Sequence, residues 1–195
     1  MLSVKKQSIE KYLMPLGEFF KDVNPNVLTL LGSIPSLLFF VFVINHWYFW
    51  AFVAFIGNGF DLIDGIVARK YNKVTAFGGF LDSTLDRVSD FLLITAFAFG
   101  HIVRWELVAP FLLFSFLISY TRSRGELANP KVSFAVGLIE RMERLVLTIF
   151  ALLLYVLFPY MVFWSFNSAE IIFILLLILS FYTVYQRIMH AYKKL

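Results

Sequence analysis

The amino-acid sequence predicts an all-α integral membrane protein with six transmembrane helices and an N-terminal interfacial amphipathic helix. Apolar residues make up 60% of the 195 residues and charged residues only 15%, whereas soluble domains carry about 25% charged residues. The apolar residues fall into six runs, each close to the roughly 20 residues with which a helix crosses a bilayer. The basic residues collect beside alternate runs, which is typical of a multi-pass path.

The N-terminal segment 1–24 mixes Lys and Glu with apolar residues at helical spacing. Leu2, Ile9, Leu13, Leu16 and Phe20 can share one helix face, a pattern typical of a helix lying on the membrane. A short soluble arm is the alternative interpretation. We expect residues 25–195 to form a six-helix bundle, so that 1–195 is one membrane domain. The absence of cysteine excludes disulfides and thiolate metal sites.

Short turns separate the six predicted spans. Their approximate bounds are 27–44, 47–69, 79–100, 105–120, 145–160 and 171–187. Trp47 and Tyr48 follow the first span, where aromatic side chains favour the membrane–water interface. A polar connection over residues 121–144 is expected between the fourth and fifth spans.

The orientation follows from the basic residues. Sixteen of the seventeen Lys and Arg residues fall at one side of this path, and only Arg104 falls at the other. The positive-inside rule therefore predicts cytoplasmic termini in a multi-pass protein of the cell membrane. An active site formed by the aspartates and basic clusters on this side would face the cytoplasm, and no nucleic-acid partner is expected.

Five aspartates lie in the stretch 57–90, "GNGFDLIDGIVARKYNKVTAFGGFLDSTLDRVSD". Asp61 and Asp64 are three residues apart, and Asp82 and Asp86 are four apart, so each pair shares a helix face. The turn between the pairs can bring the two helices together antiparallel. Four carboxylates would then converge at the cytoplasmic ends of two spans. Asp90 is one turn further along, and its role stays open.

Four clustered carboxylates in an apolar chain need compensation. A charge at mid-membrane costs about 2.5–3.5 kcal/mol on insertion scales, and like charges repel one another. Bound divalent cations would remove both costs, and an all-oxygen ligand set suits Mg²⁺, Mn²⁺ or Ca²⁺. Two such ions facing a pyrophosphate would be balanced in charge. Gly65, which follows Asp64, would leave room for a ligand against the backbone, whereas Gly57 and Gly59 favour helix packing.

The spacing Asp61-x2-Asp64-Gly65-x2-Ala68-Arg69-x8-Gly78-x3-Asp82-x3-Asp86 resembles the signature of the CDP-alcohol phosphotransferase family at every fixed position. The resemblance implies transfer of a substituted phosphate from a CDP-linked alcohol to a hydroxyl, with release of CMP. It also implies two ions, Mg²⁺ or Mn²⁺, and a homodimer. The implied metal ligands are Asp61, Asp64, Asp82 and Asp86, and Asp86 would also act as the general base. The implied nucleotide-binding residues are Pro25, Asn26, Thr29, Asp61, Gly65, Ala68, Arg69 and Gly78.

Three later segments, "SYTRSRGE", "GLIERMERL" and "VYQRIMH", resemble those of phosphatidylinositol phosphate and archaetidylinositol phosphate synthases. The sequence departs from them at Gly125, where Ala is usual, and at Arg122, where Lys is frequent. This resemblance implies a CDP-lipid donor and an inositol phosphate acceptor. The implied ligands of the acceptor phosphate are Ser119, Arg122, Arg124, Arg141, Arg144 and Arg187.

Several alternatives stay open at this point. The arginines could set the topology and contact lipid headgroups, and the lipid could be diacylglycerol or archaeol. Glycerol 3-phosphate, serine or a route to di-inositol phosphate would need the same aspartates. An intramembrane prenyltransferase also uses paired aspartates, Mg²⁺ and pyrophosphate. A cation transporter with an acidic site would explain the aspartates but not the one-sided arginines.

Overall fold

The structure is a computed structural model that describes residues 23–58, 70–71, 73–159 and 162–195. The described residues form six helices and one short hairpin, in the order α1 (Pro25–Ile44), α2 (Tyr48–Gly57), α3 (Ala76–Phe99), α4 (Trp105–Ala128), α5 (Arg141–Leu157), β1 (Val162–Phe163), β2 (Phe166–Asn167) and α6 (Ser168–Lys194). The predicted helical class is confirmed. The interfacial helix predicted over 1–24 lies almost entirely outside the described residues.

Among the described helices, α1 and α6 are long and apolar enough to cross a membrane by length and composition, and α2 is a shorter apolar helix. The other three helices carry more charge or are shorter. The path of six spans with cytoplasmic termini therefore stays a prediction.

The chain divides into two compact units. The first contains Met1–Phe42 and Phe49–Leu93, and the second contains Val43–Tyr48 and Ile94–Leu195. Helix α3 belongs to the first unit up to Leu93 and to the second from Ile94 onward. The described predicted metal and nucleotide residues thus fall in the first unit, and the predicted acceptor residues fall in the second.

In the first unit, small and polar residues bring α1 and α2 together. A Cβ on Gly57 would lie 3.2 Å from the ring of Pro35, and the Ser36 hydroxyl donates to Asn58 Oδ1 at 2.5 Å. Close backbone approach at small residues is how helices associate in membranes. Gly57 therefore has the packing role that its sequence context indicates.

In the second unit, α6 packs against both α4 and α5. The ring of Phe173 on α6 lies 4.9 Å from Phe97 and 5.5 Å from Phe111, measured between centroids. All three rings are fully buried. Capping boxes start two helices: Glu140 pairs with Glu143 at α5, and Asn167 with Glu170 at α6. Each box satisfies two backbone N–H groups that the first turn leaves unpaired.

Arg104 fastens the hairpin to the start of α6. Its Nε donates to Glu170 Oε1 at 2.7 Å, and its Nη2 donates to the carbonyl of Ser165 at 2.7 Å. The hydrogen bonds from the Arg104 guanidinium to Glu170, followed by the attraction of the negative Glu170 carboxylate, raise the pKa of Arg104 above its ordinary value. The turn residues Trp164 and Ser165 are both left-handed, with φ of 48° and 66°. The basic residue that stands apart in the sequence therefore belongs to a structural ion pair.

Helix α4 is longer than the sequence pattern predicts. The expected polar connection over 121–144 is wrong at both ends, because α4 continues to Ala128 and α5 already begins at Arg141. Charged residues support the extra turns: Arg122 Nε donates to Glu126 Oε1 at 2.9 Å, a pair four residues apart. The sequence has no proline between Pro110 and Pro130, so none falls in these extra turns. The true connection is residues 129–140.

Candidate active site

Asp82 and Asp86 occupy one face of α3, one turn apart, and both are half-buried. The Asp86 carboxylate is 20% exposed and lies 3.5 Å from the guanidinium of its neighbour Arg87. The hydroxyls of Ser83 and Thr84 donate to the carbonyl of Phe80, so both hydroxyl hydrogens already form hydrogen bonds within the helix. Two carboxylates therefore remain the chemically active groups of this turn.

The described carboxylate pair is half of the predicted metal site. Asp61 and Asp64 lie outside the described residues, as do Gly65, Ala68 and Arg69. Within the described residues, no three His, Asp or Glu side chains form a group that could hold a metal. The donor chemistry of Asp82 and Asp86, all oxygen, fits a hard divalent cation such as Mg²⁺ or Mn²⁺. Asp90 is only 2% exposed and is thus more deeply buried than this pair.

The predicted nucleotide residues of the first unit meet where α1 and α3 begin. A Cβ on Gly78 would lie 3.1 Å from Asn26 Oδ1 and 3.1 Å from Thr75 Oγ1, so the Asn26 side chain lies directly against Gly78. Thr75 Oγ1 accepts a hydrogen bond from the N–H of Gly78 at 2.9 Å and caps α3. Two helix N-termini at one place offer N–H groups and positive dipole ends, which favour phosphate.

Pro25 and Thr29 have structural partners at the same helix start. Pro25 is the first residue of α1, a position at which its missing N–H costs nothing. Thr29 is buried and its hydroxyl donates to the Pro25 carbonyl at 3.0 Å. Asn24 Oδ1 accepts from the Asn26 N–H at 3.0 Å. Asn26 and Gly78 are therefore the better placed pair to contact a nucleotide.

The six predicted acceptor residues all lie in the second unit, on three helices. Ser119, Arg122 and Arg124 are on α4, Arg141 and Arg144 begin α5, and Arg187 is on α6. Arg122 and Arg124 are exposed, whereas Arg144 and Arg187 are each 3% exposed. Because α4 runs on to Ala128, its two arginines stand on a helix surface rather than in a loop.

Arg187 is the best-defined member of this set. Its Nε donates to the carbonyl of Val136 at 2.8 Å, and its Nη1 donates to the carbonyl of Ile118. Ile118 lies one helical turn before Arg122 on α4. The bond to Ile118 thus places the Arg187 guanidinium beside the turn of α4 that leads to Arg122, although the two arginines are 65 positions apart in the sequence. A bound phosphate would relieve the repulsion between such like charges.

The structure explains Gly125, the position at which the sequence has Gly where the synthases that it resembles usually have Ala. A Cβ on Gly125 would lie 2.4 Å from Cδ1 of Phe134, because that ring packs directly on the α4 backbone. Phe134 is 1% exposed. Sequence reasoning missed this contact, since a single Phe in an apolar chain carries no signal of its partner.

Comparison with known proteins decides the family. A sequence profile of the CDP-alcohol phosphatidyltransferases matches residues 22–185 of the chain. The chain belongs to the CDP-alcohol phosphatidyltransferase family. This confirms the family that the aspartate spacing predicts, and it makes the chain a transferase of phospholipid biosynthesis. It excludes the prenyltransferase and the cation transporter.

Similar proteins in this family come from archaea and bacteria. The archaetidylinositol phosphate synthase of Pyrococcus horikoshii is 34% identical over 198 residues, covering 100% of this chain and 98% of that protein. The archaetidylinositol phosphate synthase of Methanothermobacter thermautotrophicus is 36% identical, covering 71% of this chain and 67% of that protein. The phosphatidylinositol phosphate synthase of Streptomyces avermitilis is 35% identical, covering 72% and 62%.

Crystal structures of the phosphatidylinositol phosphate synthase of Mycobacterium tuberculosis share the fold. The structure with CDP-DAG bound has a TM-score of 0.74 at 25% identity and covers 96% of this chain and 93% of that chain. The structure in complex with manganese and citrate has a TM-score of 0.73 at 26% identity, with coverage of 96% and 88%. The likeness therefore extends over nearly the whole transferase.

Adding a methyl group at Gly78 tests the nucleotide side of the site. Gly78→Ala places a Cβ 3.1 Å from both Asn26 Oδ1 and Thr75 Oγ1, so we expect the KM for the CDP-linked donor to rise several-fold. Gly79→Ala is the matched control, because a Cβ there meets nothing within 4 Å. Both changes gain about 1 kcal/mol of helix propensity, which cancels in the comparison. Equal KM values for the two variants would contradict the contact.

Proposed function

We propose that this transferase moves the phosphatidyl or archaetidyl group of a CDP-linked lipid to inositol phosphate and releases CMP. The observation that carries the acceptor is the arginine cluster of the second unit, in which the buried Arg187 is bonded to Ile118 on α4, one turn before Arg122. An acceptor with its own phosphate provides the anion that such a cluster requires. The names of the similar synthases support the same acceptor.

The reaction balances in one displacement. A hydroxyl oxygen of inositol phosphate attacks the lipid-side phosphorus of the CDP-lipid, and the bond from that phosphorus to the CMP oxygen breaks. CMP leaves with that oxygen, and the hydroxyl proton passes to the carboxylate of Asp86. A base held beside the attacking hydroxyl is the usual aid to such a transfer. We assign this role to Asp86, which is half-buried but still 20% exposed.

Divalent metal would complete the donor side. Two ions, Mg²⁺ or Mn²⁺, held by Asp61, Asp64, Asp82 and Asp86 would stabilise charge on the transferred phosphoryl group when bound. The manganese in a similar synthase supports this proposal. The chain's own residues bind the nucleotide. Asn26 and Gly78 contact it where α1 and α3 begin, and the remaining predicted ligands are Pro25, Thr29, Asp61, Gly65, Ala68 and Arg69.

The acceptor side is formed by the arginines. Arg187 keeps its position through Ile118 and Val136, and two of its five N–H groups are used in this way. The other N–H groups, with those of Arg124, Arg141 and Arg144 and the hydroxyl of Ser119, bind the phosphate. Arg122 contributes charge while it pairs with Glu126.

The enzyme works in the membrane that receives its product. We propose six spans, cytoplasmic termini and an active site facing the cytoplasm, because sixteen of the seventeen basic residues fall on that side of the path. Residues 1–195 form one membrane domain in this arrangement, with the interfacial helix over 1–24. We also propose a homodimer, as the family resemblance implies.

A direct assay tests the reaction. Purified protein with Mg²⁺, CDP-archaeol or CDP-diacylglycerol and labelled inositol phosphate should yield labelled lipid and an equal amount of CMP. Comparing the two donors assigns the lipid. Product with glycerol 3-phosphate or serine, but none with inositol phosphate, would overturn the acceptor assignment and keep the transferase.

Removing the proposed base should separate chemistry from binding. Asp86→Asn removes the proton acceptor and one metal ligand, so turnover should fall by at least about 100-fold, the lower range for a lost general base. Binding of CDP-lipid, measured by calorimetry, should remain detectable. Ser83→Ala on the same helix is the control, since the Ser83 hydroxyl donates only to the Phe80 carbonyl. Activity of Asp86→Asn close to wild type would reject the assignment.

Truncating an exposed arginine should affect one substrate only. Arg124→Ala removes hydrogen bonds to a charged phosphate, worth about 1.5–3 kcal/mol, so the KM for inositol phosphate should rise roughly 10- to 100-fold. The KM for CDP-lipid should stay within about twofold. Lys131→Ala provides the control, because Lys131 is also exposed and follows α4 in the connection. An equal rise in both KM values would indicate a structural role for Arg124.

A further inference from the structure

The connection between α4 and α5 contains a segment that contacts both α4 and α6. We call this segment, residues 133–140 with the sequence "SFAVGLIE", the strap. At its start Phe134 packs on Gly125 of α4, and its ring meets that of His190 on α6 edge-on, at 5.4 Å between centroids. The strap therefore joins α4 to α6 before α5 begins.

The middle of the strap is fitted closely to Thr183. Gly137 has a φ of +137°, which disfavours any side chain, and a Cβ there would lie 2.4 Å from Cγ2 of Thr183. The N–H of Ile139 donates to Thr183 Oγ1 at 3.2 Å. The same hydroxyl donates to the carbonyl of Leu179 at 2.8 Å. Thr183 is fully buried, so one side chain provides both a packing surface and a fixed acceptor for the strap.

Arg187 holds the strap one turn further along α6. Its Nε donates to the Val136 carbonyl at 2.8 Å. Thr183 and Arg187 are four residues apart and share a face of α6. Successive turns of one helix therefore bind two strap residues that lie three positions apart, Ile139 and Val136.

Each residue that contacts the strap, or belongs to it, lies close in sequence to an arginine assigned to the acceptor. Gly125 follows Arg124 directly, Ile139 lies two residues before Arg141, and Thr183 lies one turn before Arg187. Any shift of the strap would therefore move arginines on α4, α5 and α6 relative to one another. A loop that served only as a connection would not need two glycines pressed against side chains.

We propose that Thr183 is a positioning residue for the acceptor site: it holds the strap so that the arginines of α4, α5 and α6 keep the spacing that binds the acceptor phosphate. This inference rests on the proposed acceptor function. It concerns the acceptor alone, since every contact that carries it lies in the second unit. Loss of Thr183 should therefore weaken acceptor binding and spare the CDP-lipid.

Thr183→Val tests the hydroxyl at nearly constant volume. The variant leaves the buried Ile139 N–H without an acceptor, which is costly in a protein interior. We expect the KM for inositol phosphate to rise about tenfold, while kcat and the KM for CDP-lipid stay within about twofold. Hydrogen exchange at residues 134–140 should become faster. Thr183→Ser keeps the hydroxyl and should restore both the KM and the protection.

The matched control is Thr148→Val. Thr148 is also buried, but its hydroxyl donates to the Arg144 carbonyl within its own helix α5, so among the described residues this bond links α5 only to itself. Both substrate KM values should stay near wild type in this variant. Thr183→Val would overturn the proposal if it left the acceptor KM unchanged, or if it raised both KM values equally.

A second pair of variants covers the case in which Thr183→Val does not fold. Gly125→Ala pushes a methyl group into the Phe134 ring and should raise the acceptor KM about tenfold. Adding Phe134→Leu removes the ring atoms that collide and should recover at least half of that loss. Failure of the double variant to recover acceptor binding would count against the strap. If wild type uses another phosphorylated acceptor, the same measurements on that acceptor separate this inference from the identity of the substrate.

Discussion

The buried guanidinium of Arg187 is the interaction on which the second unit depends. It reaches from α6 to the carbonyl of Ile118 on α4 and to the carbonyl of Val136 in the strap. Hydrogen bonds from a charged donor are about twice as strong as neutral ones, and these two link α6 to α4 and to the strap. Removing the side chain would break both links at once, which is why such a residue is hard to replace.

Charged residues make up only 15% of the chain, and several of them are compensated by a nearby residue of opposite charge. On the far side of the path, Arg104 is neutralised by Glu170 at 2.7 Å. On α4, Arg122 is neutralised by Glu126 one turn away. Asp82 and Asp86 lie one turn apart on α3, and the Asp86 carboxylate is 3.5 Å from the guanidinium of Arg87. A divalent cation bound by these two carboxylates would offset their mutual repulsion further.

Much of the helical fold and the family could be predicted, because membrane spans and the aspartate signature are local patterns in the sequence. The end of α4 could not, since Arg122 and Glu126 look like loop residues until their pairing across one turn is seen. The contacts of Thr183 and Gly137 were invisible for another reason. They join positions 46 apart, and neither residue type carries a signal of its partner. Arg187 was selected as a ligand, yet its bonds to two backbone carbonyls depend wholly on tertiary packing.

The continuity of α4 has a consequence for how this enzyme can change over time. An α-helix turns about 100° and advances about 1.5 Å with each residue, and α4 carries its apolar span and Arg122 and Arg124 on one unbroken rod. Replacing single residues in its span leaves the phase of the two arginines intact. Inserting or deleting one residue there would swing them roughly a third of the way around the axis. We therefore expect the apolar span of α4, before Arg122, to tolerate substitution better than length variation, whereas the exposed residues at the start of the 129–140 connection should accept both.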